Sequence, residues 1–279
     1  MIAAFGGAAL AALVLVAIGG WVLARQSTEP VERAIIHMRR FMADAAHELR
    51  TPLTVVRSRT EVALQRSRTP SEYAEALRGI ERETVRLGRI VEDLLMLARA
   101  DAGERPIERQ RVFLDDVTLD AAEAARVLAD RKAVRVDVEE FEEAPVRGDP
   151  ALLRQLVLIL LDNAIKFTDR HGLVQVAVRA LPAIAELRVT DTGTGILPEQ
   201  LEHVFERFYR GDPSRTREGS GAESRDASGS EGAGLGLSIA QWIANEHGAA
   251  IRIDSRPGHG TTVTVRFPAA LAAEPVLSS

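Results

Sequence analysis

The sequence contains no cysteine, which excludes disulfide staples, iron–sulfur clusters, thiol catalysis and cysteine-ligated zinc. Lysine is nearly missing as well. Of 35 basic residues only Lys132 and Lys166 are lysines, and we read the arginine bias as genomic. Aromatic residues make up just 4%. Positive charge is not in excess: the net charge is −5 and no local basic patch occurs, so nucleic acid is not an expected partner. The remainder is ordinary, with 46% hydrophobic and 27% charged residues, a balance that excludes wholesale disorder. A chain of 279 residues has room for about two domains.

One stretch lacks charge altogether. Residues 2–24 run for 23 positions without a charged side chain. As a helix they span about 34 Å at ~1.5 Å per residue, enough for a hydrocarbon core of roughly 30 Å. A cleaved secretory signal is the rival reading, but it needs a basic segment before the apolar run, and only Met1 precedes it. Arg25, Arg33, Arg39 and Arg40 all follow the run, so the positive-inside rule predicts a single-pass anchor at residues 1–24 in the inner (cytoplasmic) membrane. Trp21 then sits at the inner interface, and everything downstream is cytoplasmic. On this reading only Met1 lies outside, so no extracytoplasmic sensor domain is expected. A juxtamembrane linker at 25–36 leads into the next segment. The input then comes from a partner across the membrane, from the span itself sensing the bilayer, or from sequence further upstream.

Residues 37–100 carry a heptad pattern. Met38, Met42, Ala45, Leu49, Pro52 and Val56 alternate by four and three, as do Tyr73, Leu77, Ile80, Thr84, Leu87, Val91, Leu94 and Ala98. Between them SRTPSE at 67–72 predicts a turn, with Thr69 as N-cap and Pro70 opening the second helix. Two such helices make a hairpin. Either a second copy completes a four-helix bundle, which we favour, or the hairpin packs on its own chain. The register puts His47 on the solvent side with Thr51 one turn on. Pro52, inside the helix, has no N–H for the carbonyl of Glu48 and predicts a bend beside the imidazole.

The second half alternates between periods of strand and helix. Strands are predicted at 111–114, 133–138, 173–181, 185–190, 250–255 and 261–267. Helices are predicted at 116–129, at 150–167 behind an Asp149-Pro150 start, near 198–204 and at 235–247. Helices over one face of a mixed sheet make a two-layer α/β sandwich. Four clusters stand on this frame. Asp162-Asn163-Ala164-Ile165-Lys166-Phe167 closes a helix, where an amide oxygen suits Mg²⁺ and an ammonium suits a phosphate. Asp191-Thr192-Gly193-Thr194-Gly195-Ile196 follows a strand, where a carboxylate can accept an amine proton and glycines admit a ring close to the backbone. Phe205-Glu206-Arg207-Phe208-Tyr209-Arg210 puts aromatics and guanidinium groups at a loop's lip. Gly232-Ala233-Gly234-Leu235-Gly236-Leu237 opens a helix whose free N–H groups favour phosphate. Each cluster alone is a common sequence feature, but their order and spacing together are specific.

FMADAAHELRTPL at 41–53 resembles the phosphoacceptor box of sensor histidine kinases. The four clusters resemble the N, G1, F and G2 boxes of that family's ATP-binding domain, whose fold is shared with gyrase, Hsp90-type chaperones and mismatch-repair ATPases. The resemblance spans residues 33–267. It implies a dimerising phosphotransfer hairpin at 37–100 and an ATP-binding domain at 108–268 with a lid at 210–233, followed by a tail at 269–279. It further implies that His47 attacks the γ-phosphorus of ATP while Glu48 orients and deprotonates the imidazole. Asp191 reads the adenine amine with Gly193 and Gly195 beside it, and Phe167 flanks the base. Asn163 holds Mg²⁺, Lys166 and Arg210 lie near the phosphates, and Gly232, Gly234 and Gly236 lend the backbone of the phosphate loop. The implied partners are a second copy of the chain and a response-regulator receiver domain, whose aspartate takes the phosphoryl group. In HExxT members of the family the threonine is linked to dephosphorylating that partner, which implies that Thr51 orients a water.

Two departures from the pattern stand out. Where the family's N box carries a second asparagine, this chain has Ile159. The alternative reading it motivates is a catalytically weak, ATP-binding relative that modulates a partner kinase. The lid segment at 214–231, SRTREGSGAESRDASGSE, is longer than usual for the family and has no apolar residue except alanine, so it reads as a disordered insertion rather than a regulatory site. An ATP-driven conformational machine, like the chaperone relatives, is a further rival. The exposed His-Glu box and the short chain argue against it.

Overall fold

A computed structural model describes residues 41–102, 109–211 and 232–270, together with residues 13, 19, 21, 36, 38 and 39. Outside them lie nearly all of the apolar run at 2–24, most of the linker at 25–36, residues 212–231 of the lid predicted at 210–233 and residues 271–279 of the tail predicted at 269–279. Among the described residues no helix is long and apolar enough to cross a membrane. The chain divides into two compact units, Met1–Leu87 and Gly88–Ser279.

In the first unit, helix α1 covers 41–64 and runs unbroken through the buried Pro52. Helix α2, Pro70–Ala102, begins in this unit where the sequence puts it, and its residues from Gly88 on are counted in the second. Thr69 and Glu72 form a reciprocal capping box: the Glu72 N–H donates to Thr69 Oγ1 at 3.3 Å, and the Thr69 N–H donates to Glu72 Oε2 at 2.8 Å. Those bonds from Thr69 hold the Glu72 carboxyl below the usual range. The helices approach closely at Gly79, where a Cβ would lie 2.5 Å from Arg59 Nη1. Several members of the heptad stripe stay open, Met42 at 63% and Leu77 at 64% exposure, along with Met38, Tyr73 and Val91.

Near its C-terminal end α2 carries the half-buried Asp93, whose carboxyl is pushed up to about 6 by burial, with Glu92 adding and Arg89 opposing. A folded-state pKa above the unfolded value favours folding at low pH, and that contribution is lost as the pH rises from 3.8 through about 6. Asp93→Asn is therefore expected to raise the thermal midpoint at neutral pH by about 2–4 °C, the equivalent of ~1 kcal/mol. It should also flatten the fall in stability across that pH window. Melting curves from acid to neutral pH check this, and an unchanged slope would count against it.

From residue 109 on, the second unit is the two-layer sandwich. A five-stranded sheet runs β2-β4-β5-β7-β6, made of β2 Arg135–Phe141, β4 Leu173–Leu181, β5 Ile184–Asp191, β6 Ala250–Ser255 and β7 Thr261–Pro268. Only the β2–β4 pairing is parallel. A separate antiparallel ribbon joins β1, Gln110–Phe113, to β3, Pro145–Gly148. The sequence reading lacks β3, a four-residue strand with proline at one end and glycine at the other, which are poor strand formers. Helix α4, Pro150–Phe167, packs between α3, Leu114–Lys132, and α6, Gly236–Glu246. It is apolar nearly all round, burying Leu152, Leu153, Leu156, Val157, Leu160 and Leu161. The predicted helix near 198–204 is a single turn, α5 Pro198–Leu201.

The two long inner helices are fastened at one end. Asp149 Oδ1 accepts from the N–H groups of Ala151 and Leu152 at 2.9 and 3.2 Å, capping α4. The Asp149 N–H donates to Nε2 of the buried His247, whose Nδ1 donates to the Ile243 carbonyl at the end of α6. Burial pushes the His247 pKa down, so this neutral tautomer is the ring's resting form.

Candidate functional site

Along β5 the residues facing the helices are Ala185, Leu187, Val189 and Asp191, all buried. A carboxylate thus ends an apolar row. Asp191 Oδ1 accepts from the N–H of Gly193 at 2.8 Å and from that of Thr261, its cross-strand partner on β7, at 3.2 Å. Burial pushes its carboxyl up, and these two donors oppose the shift. Both bonds end on Oδ1, which leaves Oδ2 for an incoming donor.

The loop after Asp191 is shaped by backbone contacts. A Cβ on Gly193 would lie 2.3 Å from the Phe167 carbonyl oxygen, and one on Gly260 would lie 1.9 Å from that of Asp191. Gly195 has a φ of +68°, and a Cβ there would stand 2.1 Å from the Arg256 carbonyl oxygen. Glycine is the residue that fits at these positions. The Thr194 N–H donates to the Phe167 carbonyl at 3.1 Å, so this loop hangs from the end of α4. RPGHG at 256–260 is the hairpin turn between the last two strands. The structure shows that Gly260 and Thr261 back Asp191 directly, and the single signal for this was the glycine at the turn's end.

The N and G2 clusters, some 70 residues apart in sequence, meet face to face. A Cβ on Gly236 would lie 3.3 Å from Ile159 Cγ2 and 3.7 Å from Asn163 Nδ2, while one on Gly232 would lie 3.9 Å from Lys166 Nζ. The first turn of α6, whose N–H groups have no partner within the helix, thus lies against the polar end of α4. Leu235, at the N-cap, supplies no capping side chain, so these donors and the positive end of the helix dipole remain for an anion. Lys166 Nζ stands 5.1 Å from the centre of the Phe167 ring, itself 53% exposed. The F cluster locks onto the same loop: the Phe208 N–H donates to the Gly234 carbonyl at 2.9 Å, and Phe208 holds a φ of +62°. A bulky residue in that region costs roughly 1–2 kcal/mol, which the surrounding contacts must offset. Arg210 follows at an exposed position at the edge of the lid.

The phosphoacceptor residues belong to the first unit. His47 and Thr51 are exposed on α1 and Glu48 is half-buried between them. The Thr51 hydroxyl donates to the His47 carbonyl at 3.4 Å, a long bond that leaves it available to other partners. Asn163, Lys166, Phe167, Gly193, Gly232, Gly234 and Gly236 thus each lie against a residue of another cluster, whereas Asp191 and Gly195 are backed by the turn at 256–261. A cleft of about 530 Å³ lined by Arg109, Arg147, Asn245 and His247 lies at the fastened end of α4 and α6, away from these residues.

Two families match the chain: the histidine kinase-, DNA gyrase B- and HSP90-like ATPases over residues 148–271, and the His Kinase A (phospho-acceptor) domain over residues 37–103. Among similar curated proteins, the probable sensor histidine kinase TcrY of Mycobacterium tuberculosis is 37% identical over 245 residues, 88% of this chain and 47% of TcrY. The sensor-like histidine kinase SenX3 of the same species is 36% identical over 84% of this chain and 55% of SenX3. The chain therefore spans about half the length of these relatives. Among solved structures, the histidine kinase AdeS of Acinetobacter baumannii superposes with a TM-score of 0.61 at 19% identity, covering 80% of this chain and 98% of AdeS. Histidine kinase ThkA, solved in complex with response regulator protein TrrA, gives a TM-score of 0.64 at 22% identity over 82% of this chain and 61% of ThkA. At these identities the structural likenesses concern the fold alone.

Proposed function

The chain belongs to the sensor histidine kinases of two-component systems, and on that premise we propose that it phosphorylates its own His47 from ATP and passes the phosphoryl group to an aspartate of a response regulator. The observation that carries this reading is the meeting of Gly232 and Gly236 with Lys166 and Asn163, a cradle for a polyphosphate beside a carboxylate poised for adenine.

In this reading Asp191 Oδ2 accepts the adenine amine, Phe167 flanks the ring, and the glycines at 193 and 195 let it lie against the backbone. Lys166, Arg210 and the amides at the start of α6 offset phosphate charge, and such positioning and charge compensation dominate phosphoryl transfer. Asn163 supplies the protein oxygen for a Mg²⁺ ion. Its half-buried amide beside the phosphate loop fits an ion that keeps waters and takes most other ligands from the substrate. When bound, the ion withdraws charge from the phosphates. Neutral His47 attacks the γ-phosphorus, forming an N–P bond as the bond to the bridging oxygen breaks and ADP leaves, while Glu48 takes the imidazole proton. Thr51 orients the water that removes the phosphoryl group from the regulator. The exposed apolar stripe of α1 and α2 is covered by a second copy of the chain. The uncharged run at 2–24 anchors the protein in the inner membrane with its catalytic region in the cytoplasm.

Incubation with γ-labelled ATP and Mg²⁺ tests the reading. Acid-labile, base-stable label that moves to a receiver domain supports it, whereas ATP binding without label supports the partner-modulating alternative. Ile159 is the residue that motivates that alternative, and it lies beside Asn163 under Gly236. Ile159→Asn, restoring a polar group one turn before Asn163, is expected to raise the labelling rate by about 3- to 10-fold, the worth of one added hydrogen bond. Initial rates of label uptake measure this, and an unchanged rate means that the apolar side chain does not limit the reaction.

A further inference from the structure

The end of α4 can be read carbonyl by carbonyl. That of Ala164 accepts both the N–H and the hydroxyl of Thr168, at 3.1 and 2.7 Å. That of Phe167 accepts from Thr194, on the loop that follows Asp191. The two between them, of Ile165 and Lys166, share one donor: Lys132 Nζ, 3.0 Å from the Ile165 oxygen and bonded also to that of Lys166. Lys132 is the last residue of α3. A single half-buried ammonium thus satisfies two of the carbonyls that a helix end leaves without partners, and it does so at the negative end of the helix dipole.

The residue type suits the task. A compact ammonium with three rotatable donors can serve two successive carbonyls, whereas an arginine holds its donors in a rigid plane. Lys132 is one of just two lysines among 35 basic residues, and the other, Lys166, carries one of the carbonyls it holds. Burial lowers the ammonium's pKa and Asp169, on the turn after α4, opposes that shift.

We infer that Lys132 is a positioning residue for nucleotide recognition: by tying down the last turn of α4 it sets Lys166 and Phe167 and, through the Phe167 carbonyl, the adenine-reading loop at Asp191–Gly195. The connection is short. Gly193 lies against the Phe167 carbonyl with no room for a Cβ and Thr194 bonds to it, so a shift of that turn displaces the loop carrying the Asp191 contact. This rests on the ATP site proposed above.

The test uses the full chain and compares ATP with GTP affinity in Lys132→Met, Lys132→Arg and Asp191→Asn. Lys132→Met keeps much of the stem and removes the donor. It is expected to weaken ATP about 10-fold and to narrow the preference for ATP over GTP by a similar factor. Lys132→Arg keeps the charge but not the geometry, and is expected to lose roughly threefold of that preference while melting like the parent. A role confined to stability would lower the melting temperature and leave base preference alone. Should Lys132→Met fail to fold, the threefold loss in the arginine variant still carries the inference. Unchanged preference in every folded lysine variant, with ATP weakened about 100-fold in Asp191→Asn, overturns the inference and leaves the site standing. Normal ATP binding by Asp191→Asn overturns the site reading instead.

Discussion

Replacing His47 by alanine is expected to cut incorporation of the terminal phosphoryl group of ATP by more than about 10³-fold, as loss of a sole nucleophile does in other enzymes. The side chains one turn away on α1 are Ala43, Asp44, Arg50 and Thr51, and none presents a neutral nitrogen that could take over the attack. The substitution should leave the helix intact. His47 is exposed, none of its side-chain atoms takes part in a hydrogen bond among the described residues, and alanine is the better helix former. Nucleotide binding should also survive, because the residues assigned to it belong to the second unit. The measurement is acid-labile label on the protein alongside titration with a fluorescent nucleotide. Label that persists in the variant places the phosphoacceptor elsewhere, and the account of α1 fails with it.

Asp191→Asn is expected to raise the dissociation constant for ATP by about 100-fold, the equivalent of two unsatisfied polar groups in a buried site. The carboxylate has two acceptor oxygens, and Oδ1 already serves the Gly193 and Thr261 N–H groups. An asparagine has one oxygen. If that oxygen keeps the two backbone donors, its NH₂ faces the adenine amine, donor against donor. If the amide turns over, the NH₂ meets Gly193 and Thr261 instead. Neither orientation satisfies all partners. Calorimetric titration with ADP measures the change, with melting curves to show that the fold is kept. An affinity within a fewfold of the parent would remove Asp191 as the adenine reader.

How far this could be read from residues alone depended on range. Asp149-Pro150 and the apolar run behind it set α4 to its observed ends, because a cap, a first-turn proline and burial all act within a few positions. Asp191 was legible as a carboxylate directly after a predicted strand with glycines at 193 and 195 behind it, although the strand itself runs one residue further than predicted and includes it. Strand β3 was not, since four residues carry no period and its pairing with β1 is decided across an intervening helix and strand. Only the glycine before Thr261 hints that its N–H supports a carboxylate 70 residues earlier, and nothing near Lys132 announces the end of α4. Such partners are set by the sheet register and by how α3 lies on α4. The positive φ of Phe208 was equally hidden, because its cause is a carbonyl on the far side of the lid.

The wall around Asp191 is built of main chain, with the backbones at 193, 195 and 260 pressed against those at 167, 256 and 191 at distances no side chain tolerates. For anyone designing a competitive inhibitor, this is a surface without side chains to exchange. A purine mimic that drew its affinity from these atoms would meet a surface that point substitution at those three glycines cannot reshape without displacing the backbone behind it.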